Sequence, residues 1–145
     1  IMSFNYGAKD YGRLHHAFKL GIIIAVMIMA VGTVLILVFP ETILSIFKAD
    51  EAMLAVGVPA MRIMVLGYVF AGMGIIFATY MQAVKNIKQS IIINLLRQAI
   101  VLLPVMFILS NVFGIYGVWV AYPIAEIMTC IYSFFVFRKK SAELK

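Results

Sequence analysis

Between Lys19 and Glu41 the chain runs from Leu20 to Pro40 without a formal charge, and its centre, Gly21 to Val38, is almost entirely Ile, Val, Leu, Met and Ala. About 20 apolar residues is the length at which a helix crosses hydrocarbon. The next uncharged run extends from Ile63 to Val84, between Arg62 and Lys85. A third covers residues 98–125 but contains Pro104 and the polar break Ser110-Asn111-Val112-Phe113-Gly114, so it reads as the end of one helix and the start of another. The pattern predicts an all-α, polytopic membrane bundle with four spans, at about 20–39, 54–84, 88–109 and 115–137. A cleavable leader does not fit the first span, because Phe39-Pro40-Glu41 follows it where small cleavage-site residues belong.

The joints follow from local chemistry. Pro40 sits where a short helix can start without its missing N–H being felt, and Ile43, Leu44 and Phe47 give that helix an apolar side suited to an interface. Asp50 is placed to cap the next helix. From Glu51 to Val84 that helix is about 50 Å long at 1.5 Å per residue. It exceeds the hydrocarbon thickness, so a bend at Pro59 is expected, with Arg62 near the outer headgroups. The short turns Lys85-Asn86-Ile87-Lys88 and Ser110–Gly114 make the last three helices antiparallel neighbours.

Composition agrees: 65% of residues are hydrophobic and 12% charged, against about 45–50% and about 25% in soluble domains. The net charge of +6 acquires meaning only when sorted by side. Lys9, Arg13, Lys19, Lys85, Lys88, Arg138, Lys139, Lys140 and Lys145 fall at one end of the bundle with Asp10 and Glu143, giving +7. Lys48 faces Glu41, Asp50 and Glu51 at the other, giving −2, and Arg62, Arg97 and Glu126 are embedded. Short loops rich in Lys and Arg stay cytoplasmic, so a multi-pass protein of the plasma membrane with both termini inside is expected. The basic residues signal topology, not nucleic-acid binding. Tyr116, Trp119 and Tyr122 open the fourth span, and Tyr132, Phe134, Phe135 and Phe137 close it, as rings do at headgroup level.

Two stripes of small residues mark faces that helices can press together or that line a smooth path. They are Gly67, Ala71, Gly74 and Ala78 in the second span, and Gly117, Ala121, Ala125, Thr129 and Ser133 in the fourth. Ten methionines, among them Met61, Met64, Met73 and Met81, serve either to fill gaps or to soften a pocket.

No catalytic motif is present, and a single cysteine, Cys130, excludes an internal disulfide. His15 and His16 lack a carboxylate or thiol at ligand spacing and read as solvated interfacial residues. An enzyme is not expected, and no cofactor or metal site is read. Glu126 is the one acid inside a span, where an unpaired charge costs several kcal/mol. It is either a titrating site or a hydrogen-bonding packing group. Asn94, Arg97 and Gln98 share a helical face, which belongs against a wet cavity or another helix. Arg97 lies about 13 Å along the axis from Lys88, within partial snorkelling reach of the cytoplasm. Pro104 is expected to bend this helix beyond the polar face.

Several segments resemble one family. Ser3-Phe4-Asn5-Tyr6-Gly7-Ala8-Lys9-Asp10 with Arg13 is similar to the segment after the eighth helix of multidrug and toxic compound extrusion (MATE) transporters. Phe39-Pro40 with Ile43, Leu44 and Phe47 resembles the stretch after their ninth helix. Leu95-Leu96-Arg97-Gln98, Phe113 to Trp119 and Tyr122-Pro123-Ile124-Ala125-Glu126 resemble helices eleven and twelve. The resemblance implies that residues 1–145 are helices nine to twelve of a twelve-helix transporter, a partial six-helix lobe whose partners are the lipid bilayer, the N-terminal part of the same transporter and a small-molecule substrate. The opening Ile1-Met2-Ser3-Phe4 agrees with a piece of a longer chain. It further implies export of drugs or other amphipathic or cationic compounds by alternating access, coupled to Na⁺ or H⁺. The cation-binding Asp that some branches carry in helix ten has no counterpart in 63–84, so that ion site does not carry over. A lipid-linked polysaccharide flippase of the same superfamily and a non-transporting assembly subunit are the alternatives.

Overall fold

The computed structural model describes residues 1–144, so Lys145 of the basic tail lies outside the described residues. Those residues form helices and turns with no strand among them. In order they are α1 (Met2–Gly7), α2 (Tyr11–Val38), α3 (Pro40–Ile46), α4 (Glu51–Met64), α5 (Tyr68–Ala83), α6 (Ile87–Leu95), α7 (Leu102–Phe113) and α8 (Ile115–Ala142). A 3₁₀ turn, Val65–Gly67, joins α4 to α5, and a π turn, Leu96–Ile100, joins α6 to α7. Four continuous stretches, Tyr11–Val38, Glu51–Ala83, Ile87–Phe113 and Ile115–Ala142, are long and apolar enough to cross a membrane.

Helix starts follow the expected chemistry. The Asp50 carboxylate accepts from the Met53 N–H at 2.8 Å, and Pro40 occupies the first turn of α3. Asp10 does the same for α2, accepting from the Arg13 N–H at 3.0 Å.

Helix ends are less ordinary. Lys9, Lys48 and Lys85 follow α1, α3 and α5 in the left-handed region, at φ of 57°, 56° and 60°. Each is succeeded by a residue whose N–H reaches back to close the helix: Asp10 to Asn5, Ala49 to Leu44 and Asn86 to Met81. Glycine normally occupies that position. Lysine accepts the steric cost while setting a cation at the negative end of the helix dipole.

The helices pack in a row. α5 and α8 are central, α2 and α6 pack on α5, and α7 packs along α8. The helix expected to bend at Pro59 keeps its helical assignment through that residue, and departs from α geometry at Val65–Gly67. The core gathers at the end of the bundle that carries the basic residues: Leu14, Tyr80, Met81, Ile93 and Val84 are essentially inaccessible. Phe18 stacks on Phe137 at 4.2 Å between centroids, and Phe77 and Tyr80 meet both rings. Phe137 is therefore packed inward, against α2 and α5, which converge on the last turns of α8. His15 is likewise drawn from solvent. Its Nδ1 lies 2.7 Å from the Tyr11 carbonyl and its Nε2 2.6 Å from Ser141 Oγ, which ties α8 to the start of α2.

Candidate functional site

Near the middle of the bundle three departures from regular helix meet. The first is the 3₁₀ turn, which ends in Gly67. A Cβ built on Gly67 would stand 2.8 Å from Pro123 Cα and 3.4 Å from Glu126 Cγ, so α8 crosses the turn at backbone distance. Only glycine permits that approach. The second is Pro123, inside α8, which cannot donate to the preceding turn. The third is the π turn. Pro104 leaves the Ile100 carbonyl without its usual donor, and the preceding turn widens so that the Val101 N–H bonds Leu96 O at 3.0 Å. π turns of this kind recur where a helix must present side chains unusually. The sequence places the distortion beyond the polar face; the structure places it at that face, over Leu96–Ile100.

Glu126 stands at this junction. It is half-buried, and its Oε2 is shielded from solvent with no hydrogen-bond partner among the described residues. Arg97, half-buried on the π turn that packs on α8, makes no direct ion pair with Glu126 among the described residues. Thr129, one turn beyond Glu126, is 1% exposed, and its Oγ1 is also unpartnered. An acid, an offset cation and an orphan hydroxyl at irregular backbone can bind a small cation or hold a proton.

The other polar residues part company. The Asn94 amide donates to the Ser90 carbonyl at 3.1 Å within its own helix, and Gln98 lies exposed. The π turn that carries Arg97 and Gln98 packs on α8, and Asn94 is bonded within its own helix. Thr129, read from its spacing as a small packing residue, is the polar neighbour that sequence reasoning missed; its offset of three from Glu126 was the available signal.

The small-residue stripes are used selectively. Gly67, Gly74, Ala78, Gly117, Ala121 and Ala125 are buried, and Ala71 is half-buried. A Cβ at Gly74 would meet nothing within 4 Å, whereas one at Gly117 would collide with the Leu109 backbone of α7. The close seat on α2 belongs to Gly72, off the stripe, where a Cβ would lie 2.7 Å from Met29 Cγ. Met81, fully buried, and Met73 fill space around the aromatic cluster.

Comparison with known proteins gives a consistent result. A family model described as MatE matches residues 1–108. The chain is 31% identical over 140 residues to a probable multidrug resistance protein, YoeA, of Bacillus subtilis (strain 168), covering 92% of this chain and 30% of that protein. It is 25% identical over 126 residues to the multidrug export protein MepA of Staphylococcus saprophyticus, covering 87% and 28%. Among solved structures, the MATE multidrug transporter DinF-BH matches at 35% identity and a TM-score of 0.85, over 94% of this chain and 30% of that one. An outward-facing and an inward-facing structure of multidrug resistance MATE transporters share the fold at TM-scores of 0.92 and 0.93, each at 20% identity. They cover 99% of this chain and 33% and 34% of those chains. The chain thus spans about 30% of the length of the relatives it matches.

Proposed function

This chain belongs to the MatE family, and we propose that it forms helices nine to twelve of a twelve-helix efflux transporter, exporting drugs or other amphipathic cations by Na⁺- or H⁺-coupled antiport. Its partners on this reading are the remainder of the transporter, the bilayer and a small-molecule substrate. The observation that carries the proposal is Glu126, an embedded acid with an unpartnered oxygen, lying against a glycine crossing. Glu126 takes up the coupling cation or proton, Arg97 sets how readily it does so, and Thr129 offers a further oxygen. The 3₁₀ turn, the π turn and Pro123 give this level of the bundle weaker intrahelical restraint than the aromatic cluster, so local repacking can follow ion occupancy. The basic end faces the cytoplasm of a plasma-membrane protein, in keeping with the distribution of Lys and Arg.

The test is accumulation of ethidium, a cationic fluorescent dye, in cells that express the full-length protein. Energised cells with the transporter are expected to retain several-fold less dye than cells without it, and to lose the difference when the ion gradients are collapsed. Unchanged retention, together with movement of a lipid-linked oligosaccharide in reconstituted vesicles, would assign the protein to the flippase branch instead.

A further inference from the structure

At the basic end of the bundle, away from Glu126, the turn between α5 and α6 and the last turns of α8 enclose a cleft of about 320 Å³ lined by Asn86, Gln89, Val136, Lys139, Lys140 and Glu143. We propose that this cleft binds the phosphodiester headgroup of an anionic phospholipid. The volume is at the lower end of ligand sites, suited to a headgroup with its chains outside.

The donors are arranged for an anion. Tyr132 donates its hydroxyl to Gln89 Oε1 at 3.1 Å, which fixes the amide and leaves its NH₂ to face another acceptor. Asn86 precedes the first turn of α6 and makes no side-chain cap bond, so its amide is also uncommitted. The free N–H groups of that turn add positive potential. Lys139 makes no ion pair among the described residues, whereas Arg138 is turned away over the Phe134 ring at 6.0 Å. Lys140 holds Glu143 at 2.8 Å.

That last contact is informative. The Lys140 ammonium keeps the Glu143 carboxyl below the usual carboxylate range, so Glu143 is ionised at every physiological pH and occupies one donor of the site. A headgroup phosphate competes with it for Lys140, as an internal anion competes with an external one. Basic pockets at the ends of transmembrane helices are where anionic headgroups bind, beyond the diffuse attraction of surface lysines. The inference goes beyond the transport reading and is independent of the substrate or coupling ion.

Native mass spectrometry of the full-length protein, titrated with phosphatidylglycerol, phosphatidylcholine or inorganic phosphate, tests it. The expected result is retention of phosphatidylglycerol at least fivefold above phosphatidylcholine, reduced at least fivefold in the Lys139→Gln/Lys140→Gln variant. Glu143→Gln is expected to strengthen retention two- to threefold, a direction that loss of folding cannot imitate. Lys88→Gln, on the same turn but outside the cleft, is expected to change nothing. Equal retention of the two lipids, an unaffected double variant, an equal loss in Lys88→Gln, or displacement of the lipid by stoichiometric inorganic phosphate would each overturn the proposal.

Discussion

The two ends of α5 are held in opposite ways. At its C-terminal end, Phe77, Tyr80 and Met81 fill space between α2, α8 and α6 with large side chains. At its N-terminal end, Gly67 brings backbone against the backbone of α8. Rings at the first end interlock around the unpartnered Tyr80 hydroxyl, whereas at the second end irregular turns lie beside an unpartnered carboxylate oxygen of Glu126 and the Thr129 hydroxyl. One helix therefore joins a rigid base to a polar junction. On the proposed function, ion uptake belongs to the less constrained half.

Truncating the rigid base produces the largest stability effect. Phe77 is 6% exposed and touches the rings of Phe18, Phe134 and Phe137. Phe77→Ala in the full-length protein is expected to cost about 2–3 kcal/mol, chiefly as lost packing because lipid reduces the transfer component. Thermal unfolding in detergent reads this as a lowered Tm, and an unchanged Tm would erase the distinction between the two ends.

A smaller effect sharpens the same comparison. Gly67→Ala forces a methyl group against Pro123 Cα, a backbone atom that cannot rotate away, and should cost about 1–2 kcal/mol. Its signature is disproportion: ethidium efflux should fall further than the Tm shift explains, since the crossing also sets the position of Glu126. If efflux fell only in step with stability, Gly67 would be a packing residue alone.

Much of this architecture was legible in the chain. Charge-free runs mark four helices, and Pro40 and Asp50 mark two helix starts, because length, apolarity and capping are local properties. The helices run beyond the charge-free stretches: α2 begins at Tyr11, ahead of the span read from residue 20, and α7 continues to Phe113, past the expected end near 109, with Gly114 turning the chain at φ 59°. The closures at Lys9, Lys48 and Lys85 left no signal, since lysine occupies positions where glycine is the usual mark. His15 reads as solvated because its partner, Ser141, is 126 residues away.

The candidate site was legible in part for the same reason. Glu126 and Arg97 stand out as embedded charges, but the grouping of Asn94 and Gln98 with Arg97 assumed 3.6 residues per turn. The π turn breaks that spacing, and it arises from Pro104 further along the helix together with the contact to α8. Gly72 escaped the small-residue stripe because it lies one position past Ala71, off the spacing of that stripe and on the face that meets Met29.

The most direct test of the account is coupled efflux in proteoliposomes containing the full-length transporter, with an imposed Na⁺ or H⁺ gradient and Glu126→Gln as the sole change. Glutamine keeps the shape and removes the charge, so the Tm is expected to stay within a few degrees. Gradient-driven ethidium efflux is expected to fall at least tenfold. Efflux equal to that of the unaltered protein, under both gradients, would contradict the role given to Glu126.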